Sequence, residues 1–216
     1  VALPKSETVN GQEMKEKLNS SHILAEFVDT FKTFFAKKQI VLALLFLLVY
    51  RLGESMLVKL ASPFLLDSRE AGGLGLATEQ LGLTYGTIGV IALTIGGILG
   101  GFAISAKGLK YWIFPMGLAI TLPNLVYVYL SYFRPDSLLI INLAVAIEQF
   151  GYGFGFAAYM MFMMMLAQGK QQTAHYAFTT GFMALGMMLP GMMAGWLQET
   201  LGYPLFFVIV VLCAIP

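Results

Sequence analysis

The chain has 216 residues, of which 58% are hydrophobic and only 12% are charged, and its formal net charge is +1. Charged residues make up about a quarter of an average soluble domain, and a water-soluble fold of this length could not cover so many apolar side chains. A near-neutral chain has no net attraction for nucleic acid. We therefore expect a membrane protein without a nucleic-acid partner.

The sequence offers few residues for metal binding or for catalysis. Its single cysteine, Cys213, excludes a disulfide framework and any zinc site that needs several thiolates. His22 and His175 are far apart, and neither stands at metal-ligand spacing from another strong ligand. A paired nucleophile and base and a cofactor fingerprint are also missing from the sequence. We expect no metal, no cofactor and no catalytic residues, and we predict that the chain is not an enzyme.

Residues 1–38 are polar and are predicted to form a cytoplasmic linker. Apolar residues recur there at helical spacing and lysines accompany them: Ile23, Leu24, Phe27, Phe31, Phe34 and Phe35, with Lys32, Lys37 and Lys38. This pattern indicates an amphipathic helix along the membrane surface. A solvated linker with a single amphipathic turn is the alternative that the sequence leaves open.

Residues 39–216 are predicted to form a bundle of six transmembrane helices. Five apolar stretches reach the roughly 20 residues that cross a bilayer, and a sixth is shorter. The predicted spans are 40–66, 83–106, 111–131, 137–166, 174–197 and 203–216. The apolar runs are continuous rather than alternating, which indicates helices and not a barrel. The fold class is therefore an all-α membrane protein.

The two ends of the sequence suggest a piece of a longer protein. The chain begins at Val1 without an initiator methionine, and it stops at Pro216 inside an apolar stretch. We expect a larger protein to continue on both sides, with span six truncated.

The basic residues between the spans predict the orientation. One side of the bundle would carry six of them and the other two: Lys32, Lys37, Lys38, Lys107, Lys110 and Lys170 against Arg69 and Arg134. Cytoplasmic loops are enriched in Lys and Arg. The lysine-rich side is therefore predicted to be cytoplasmic.

Glycine is abundant in the predicted spans. Two groups stand close together, one in span two and one in span four: Gly96, Gly97, Gly100 and Gly101, and then Gly151, Gly153 and Gly155. Small residues allow helices to approach closely in lipid. We predict one close-packing face in each of these two spans.

Span one contains three charged residues, which are costly in a bilayer. On an ideal helix, Arg51, Glu54 and Lys59 fall with two serines inside roughly 140° of arc. We expect this polar face to point to the bundle interior, with Arg51 binding an anionic group of a substrate and Glu54 carrying a proton. The alternative is an ion pair between Arg51 and Glu54 that only permits insertion. Lys59 lies near the far end of the span and could reach the outer interface.

Spans three and four add further polar residues near mid-membrane. Glu148 is a candidate protonatable carboxylate, and a plain hydrogen bond to a neighbouring helix is its alternative. Gln149 follows it, and Asn124 and Tyr127 lie in span three. Pro123 frees a backbone carbonyl one turn earlier, which can bind water or substrate. We assign Glu148, Gln149, Asn124 and Tyr127, together with Arg51, Glu54 and Lys59 of span one, to a substrate and proton site.

The loop between spans two and three resembles a known motif. It reads GFAISAKGLK from residue 101 to residue 110. The cytoplasmic loop motif of the major facilitator superfamily is G-x-x-x-D-R-x-G-R-R, which Gly101, Gly108 and Lys110 match. Ser105 stands where the motif has its acidic residue, and Ala106 where it has the first arginine.

Longer stretches resemble the AmpG-type muropeptide permeases, a family that also contains acetyl-coenzyme A transporters. The segment LLFLLVYRLGESM is similar to their seventh span, with Arg51 in place of a lysine and Glu54 in place of an aspartate. The segment PGMMAGWLQETLGYPLFF is similar to the exit of their eleventh span and includes Gly195 and Gly202. The likeness extends over about residues 30 to 210.

This resemblance implies the C-terminal six-helix half of a major facilitator superfamily bundle. The implied partners are a small-molecule substrate, protons, the lipid bilayer and the N-terminal six-helix half of the same protein, all in the inner (plasma) membrane. The implied function is alternating-access secondary transport, as proton-coupled uptake of a cell-wall muropeptide or related glycopeptide. One alternative is a carrier of acyl-coenzyme A or another organic anion on the same fold. The other is a membrane receptor or scaffold that transports nothing.

Overall fold

The computed structural model describes residues 20–214, which are mostly helical and contain no strand. The linker residues 1–19 and the last two residues of predicted span six lie outside the described part. The chain divides into two compact units, residues 1–41 and residues 42–216.

The described part of the first unit includes the helix Ser20–Phe35. The phenyl rings of Phe27 and Phe31 are exposed, and the rings of Phe31 and Phe35 pack with their centroids 4.5 Å apart. Lys37 places its ammonium group over the ring of Phe34 at 5.9 Å. Apolar and basic groups are therefore adjacent along this segment.

Within residues 20–214, five helical segments are long and apolar enough to cross a membrane: Ile40–Leu66, Thr78–Lys107, Leu109–Phe133, Leu138–Ala167 and Gln172–Cys213. The shortest has 25 residues, which at about 1.5 Å per residue exceeds a hydrocarbon core of about 30 Å. We call the first four spans one to four. The protein is an all-α, multi-pass membrane protein.

The fifth segment consists of two helices, because it is broken at Gly202. Gly202 has φ 73° and ψ 166°, which are not helical. Before the break, Gly186 lies beside Leu48 and Gly191 beside Lys59, so the segment runs parallel to span one. We call residues 172–201 span five and residues 203–213 span six.

Span six runs back in the opposite direction. Its first residue, Tyr203, donates a 2.6 Å hydrogen bond to Asp67 at the end of span one. Seven residues later, the carbonyl of Val210 lies against Gly53, near the middle of span one. The chain therefore reverses at Gly202, and the 11 residues of span six re-enter the bundle without covering the roughly 20 residues of a full pass.

We expect Gly202→Ala to destabilise the bundle. The φ and ψ of Gly202 lie in a region that essentially only glycine adopts, at a cost of about 1–3 kcal/mol for other residues. The unfolding midpoint of the purified protein in detergent should fall by several degrees. Gly195→Ala is the matched control, because Gly195 is helical and a Cβ there would meet nothing within 4 Å. Equal midpoints for the two variants would contradict the prediction.

Three of the spans contain non-α segments. Span one is interrupted at Tyr50 and Arg51, between the helices Ile40–Val49 and Leu52–Leu66. Span two begins with the short helix Thr78–Leu81, continues as a π-helix over Gly82–Gly89 and becomes α-helical at Val90–Lys107. In span three, a 3-10 turn at Leu122–Asn124 separates Leu109–Thr121 from Leu125–Phe133. The ideal helix assumed for the polar face of span one is thus wrong at Arg51.

Span four packs between spans two and three on separate faces. A Cβ on Gly96 or Gly100 of span two would clash with the backbone of span four, at the carbonyls of Phe150 and Phe154. Gly153 faces span two, whereas Gly151 and Gly155 face span three. The prediction of a single close-packing face in span four is therefore wrong, because residues two apart on a helix point in nearly opposite directions.

Candidate functional site

The structure buries five of the seven predicted substrate and proton residues in the bundle. They are at most 3% exposed: Arg51, Glu54, Asn124, Tyr127 and Glu148. Gln149 is half-buried beside them, and Lys59 is exposed. The five come from spans one, three and four, so the fold brings together residues that are almost 100 positions apart.

Arg51 lies in a cage of aromatic rings and a thioether. Its guanidinium carbon is 5.2 Å from the ring centroid of Tyr152, 4.8 Å from Phe156 and 5.7 Å from Tyr159. Nη2 donates to the hydroxyl of Tyr152 at 2.5 Å, and Nη1 lies 3.2 Å from the sulfur of Met187. Cation–π contacts of this kind contribute about 2 kcal/mol or more when they are desolvated.

Arg51 makes no ion pair within residues 20–214, so the predicted alternative of a pair with Glu54 is not formed. The break in span one explains this separation. Arg51 has φ −112° and ψ 16° and precedes the first turn of the second helix, where Glu54 lies. Their side chains therefore leave the backbone from differently oriented segments.

The side chains of Glu54 and Asn124 are polar groups of this centre that lack hydrogen-bond partners within residues 20–214. Glu54 is 1% exposed, and both of its carboxyl oxygens lack a hydrogen-bond partner in the described chain. Asn124, also 1% exposed, has no partner for its amide nitrogen or oxygen. The two side chains are neighbours, but they do not reach hydrogen-bonding geometry. Buried polar groups normally have partners, so this part of the centre has spare capacity to bind a proton, water or a ligand.

Glu148 is held by a hydrogen-bond network. The amide of Gln149 donates to its two carboxyl oxygens at 3.0 and 3.3 Å. The hydroxyl of Tyr127 donates to Oε2 at a long 3.5 Å. The hydroxyl of Tyr127 also hydrogen-bonds to that of Tyr85 in span two. Tyr85 was not identified from the sequence, and the three glycines around it at positions 82, 86 and 89 were the only local signal.

Lys59 does not share the interior face predicted for it. Its side chain is exposed, and its aliphatic part lies beside Gly191 of span five.

The carbonyl freed by Pro123, that of Ala119, packs against Gly151 of span four. That carbonyl is therefore used for helix packing and not, as predicted, for water or substrate.

The predicted motif residues lie at helix ends and on open surfaces. Gly108 has φ 77° and separates spans two and three, and Lys110 is exposed just after it. Gly202 makes the break between spans five and six. Cβ atoms on Gly101 and Gly195 would meet nothing within 4 Å. Close packing within residues 42–214 does not account for glycine at these last two positions.

The loops after spans one and three are joined at the opposite end from Lys107 and Lys110. Arg69 and Asp136 form a 2.6 Å ion pair. Arg69 and Arg134 each donate to the other's backbone carbonyl, at 3.0 and 3.1 Å. This end also contains the hydrogen bond between Tyr203 and Asp67. We call it the lysine-poor end.

Between residues 20 and 214, no three His, Cys, Asp or Glu side chains come together as a metal site. The polar centre therefore consists of a caged guanidinium, two buried carboxyl groups and an amide, all inside the membrane-spanning helices. This combination is typical of substrate and ion pathways in membrane proteins. Fold and site together define a multi-pass helical membrane protein with a buried polar centre.

Known relatives of the chain carry transporter names. It is 29% identical over 177 residues to "Putative transporter AmpG 1" of Rickettsia felis, covering 82% of this chain and 38% of that protein. It is 27% identical over 213 residues to "Putative transporter AmpG 4" of the same organism, covering 97% and 50%. "Putative transporter AmpG 2" of Rickettsia typhi is 26% identical over 191 residues, covering 88% and 45%. No family model matches the chain.

The AmpG-like resemblance predicted from the sequence is thereby confirmed: the chain is a homologue of these proteins named as AmpG transporters. It spans half or less of the length of the relatives cited here.

Proposed function

We propose that this chain is the C-terminal six-helix half of a secondary active transporter that works by alternating access in the inner (plasma) membrane. Its partner is the N-terminal six-helix half of the same protein, and residues 1–38 are the cytoplasmic connection between them. Substrate binds at mid-membrane between the halves, as in other transporters built from such repeats. The similarity to half the length of AmpG-named transporters supports this arrangement.

Transport is driven by protons that bind Glu54 and Glu148. The observation that carries this proposal is the burial of Glu54 with two unpartnered oxygens. A charged carboxylate is costly in such a place, and binding a proton removes its charge. The same carboxyl group is therefore suited to alternate between a proton-bound and a proton-free state as the cavity opens to either side.

The substrate is a cell-wall muropeptide or a related glycopeptide. Arg51 binds its anionic group once the aromatic cage opens, since a guanidinium pairs with carboxylates through two parallel hydrogen bonds. Asn124, Tyr127 and Gln149 form hydrogen bonds with sugar or peptide groups. Lys59 provides a second positive charge on the exposed side of span one.

A carrier of acyl-coenzyme A or another organic anion is the second candidate. The observation that favours it is the presence of two cations, Arg51 and the exposed Lys59, on one span. Competition with unlabelled acyl-coenzyme A during uptake separates the two cargoes.

The test is uptake of labelled anhydro-muropeptide by cells that produce the full-length protein, with and without a protonophore. We expect protonophore-sensitive uptake that Glu54→Gln abolishes, because glutamine keeps the shape of the side chain but cannot bind and release a proton. Glu79→Gln is the matched control, since Glu79 is exposed at the start of span two. It should transport like the unmodified protein.

Three outcomes would contradict parts of this proposal. Uptake that is insensitive to the protonophore would exclude proton coupling. Uptake of acyl-coenzyme A but not of muropeptide would show that acyl-coenzyme A is the substrate. Binding without uptake, by a protein that is folded and inserted, would favour a receptor or scaffold.

A further inference from the structure

The π-helix Gly82–Gly89 in span two stands next to the polar centre. π-Helical turns are rare and occur frequently at functional sites. This one is fixed to span four at two points. Thr84 donates a 2.6 Å hydrogen bond to Oδ1 of Asn142, and Gly89 lies so close to Gln149 that a Cβ would be 3.3 Å from its Cγ. The segment that carries Tyr85 is thus held in register with Glu148.

The hydroxyl groups of Tyr85 and Tyr127 form a hydrogen-bonded chain that ends at the carboxyl group of Glu148. Tyr127 is fully buried and contacts both Tyr85 and Glu148 through its hydroxyl. Tyr85 is only half-buried, so this line of hydroxyls leads from a buried carboxyl group towards a more accessible residue.

The direction of this line follows from helix geometry. Glu148 is ten residues after Leu138, about 15 Å from the lysine-poor end of span four. Tyr127 is six residues before Phe133, about 9 Å from the same end of span three. Tyr85 is seven residues after Thr78, also in the lysine-poor half of its span. The backbone positions of both tyrosines are therefore nearer the lysine-poor end than that of Glu148.

We propose that Tyr85 and Tyr127 form the proton path between the lysine-poor side and Glu148, an inference that rests on the proposed proton-coupled transport. A proton arrives at the oxygen of Tyr85, whose own proton moves to the oxygen of Tyr127. The proton of Tyr127 then moves to Oε2 of Glu148. Both hydroxyls are neutral before and after the transfer, and Glu148 gains one proton.

Other groups around Glu148 influence this transfer. The titratable side chains near it come from four spans: Glu54, Tyr85, Tyr127 and Tyr152. Arg51 acts on Glu54 and Tyr152. Glu54 is the second carboxyl group of the centre and has no hydroxyl chain of its own in the described part of the protein. Tyr85 and Tyr127 are positioned to serve Glu148, and Glu54 would exchange its proton within the centre.

The test follows the protonated-carboxyl infrared band of the purified full-length protein in liposomes after a pH jump. Glu148→Gln identifies the band by removing it. We expect Tyr85→Phe to slow proton uptake at Glu148 about tenfold, as for the loss of one proton-transfer hydrogen bond. Tyr127→Phe, which removes the hydroxyl in the middle of the path, should also slow proton uptake at Glu148 about tenfold. Tyr129→Phe is the control, because Tyr129 lies on span three like Tyr127 but its ring is exposed.

If proton uptake at Glu148 were as fast in Tyr85→Phe and Tyr127→Phe as in Tyr129→Phe, the proposed path would be wrong. It would also be wrong if no infrared band came from Glu148. If the band responds as expected but muropeptide uptake is insensitive to a protonophore, the path stands and the proposed coupling fails. If uptake is proton-driven and both variants transport normally, the coupling stands and the path fails.

Discussion

Gly151→Ala is expected to destabilise the bundle strongly, although it adds only one methyl group. A Cβ at this position would overlap the carbonyl oxygen of Ala119 and lie 2.6 Å from Cγ of Pro123. A backbone carbonyl and a proline ring cannot rotate away, so spans three and four would have to separate. Overpacking of this kind costs about 1–3 kcal/mol, and occasionally more. Thermal unfolding of the purified protein in detergent should show a clearly lower midpoint.

Gly101→Ala is the matched control for this effect. Gly101 is helical in span two, and a Cβ there would meet nothing within 4 Å. Its midpoint should remain the same or rise, because alanine favours a helix over glycine by about 1 kcal/mol. If Gly151→Ala were as stable as Gly101→Ala, spans three and four would not pack as closely as the structure places them.

Arg51→Met is expected to abolish transport while the folded protein keeps its stability. The buried guanidinium makes cation–π contacts, but no carboxylate in residues 20–214 pairs with it. Replacing a buried charge with an apolar side chain of similar length is often neutral or stabilising. Methionine would also fit the aromatic rings around it, since thioethers pack well on them. The loss of the cation removes the proposed contact with the anionic substrate.

Arg51→Lys separates charge from shape at the same position. Lysine keeps the positive charge but lacks the planar fork and stacks less well on aromatic rings. We expect partial uptake of the labelled substrate and a lower unfolding midpoint than for Arg51→Met. Normal uptake by Arg51→Met would show that the cage has only a structural role.

Much of the organisation follows from the sequence, because lipid imposes strong rules on it. A spanning helix must be about 20 residues long and apolar, and all backbone polar groups must be satisfied inside it. The observed spans two and four, Thr78–Lys107 and Leu138–Ala167, therefore begin and end within five residues of the predicted 83–106 and 137–166. Glu54 and Glu148 could likewise be recognised as candidate site residues from their charge alone, because a charge inside the bilayer is costly.

The class of fold, the approximate spans and the candidate polar residues could all be predicted from the sequence, since each of these depends on local composition and on the length of apolar runs. The remaining features depend on how the helices pack together. The break at Arg51 turns its side chain into the cage of span four and away from Glu54. The π-helix directs Tyr85 to Tyr127, and the exposed position of Lys59 separates it from the centre. These outcomes depend on contacts between helices far apart in the chain, which helical periodicity within one span does not encode.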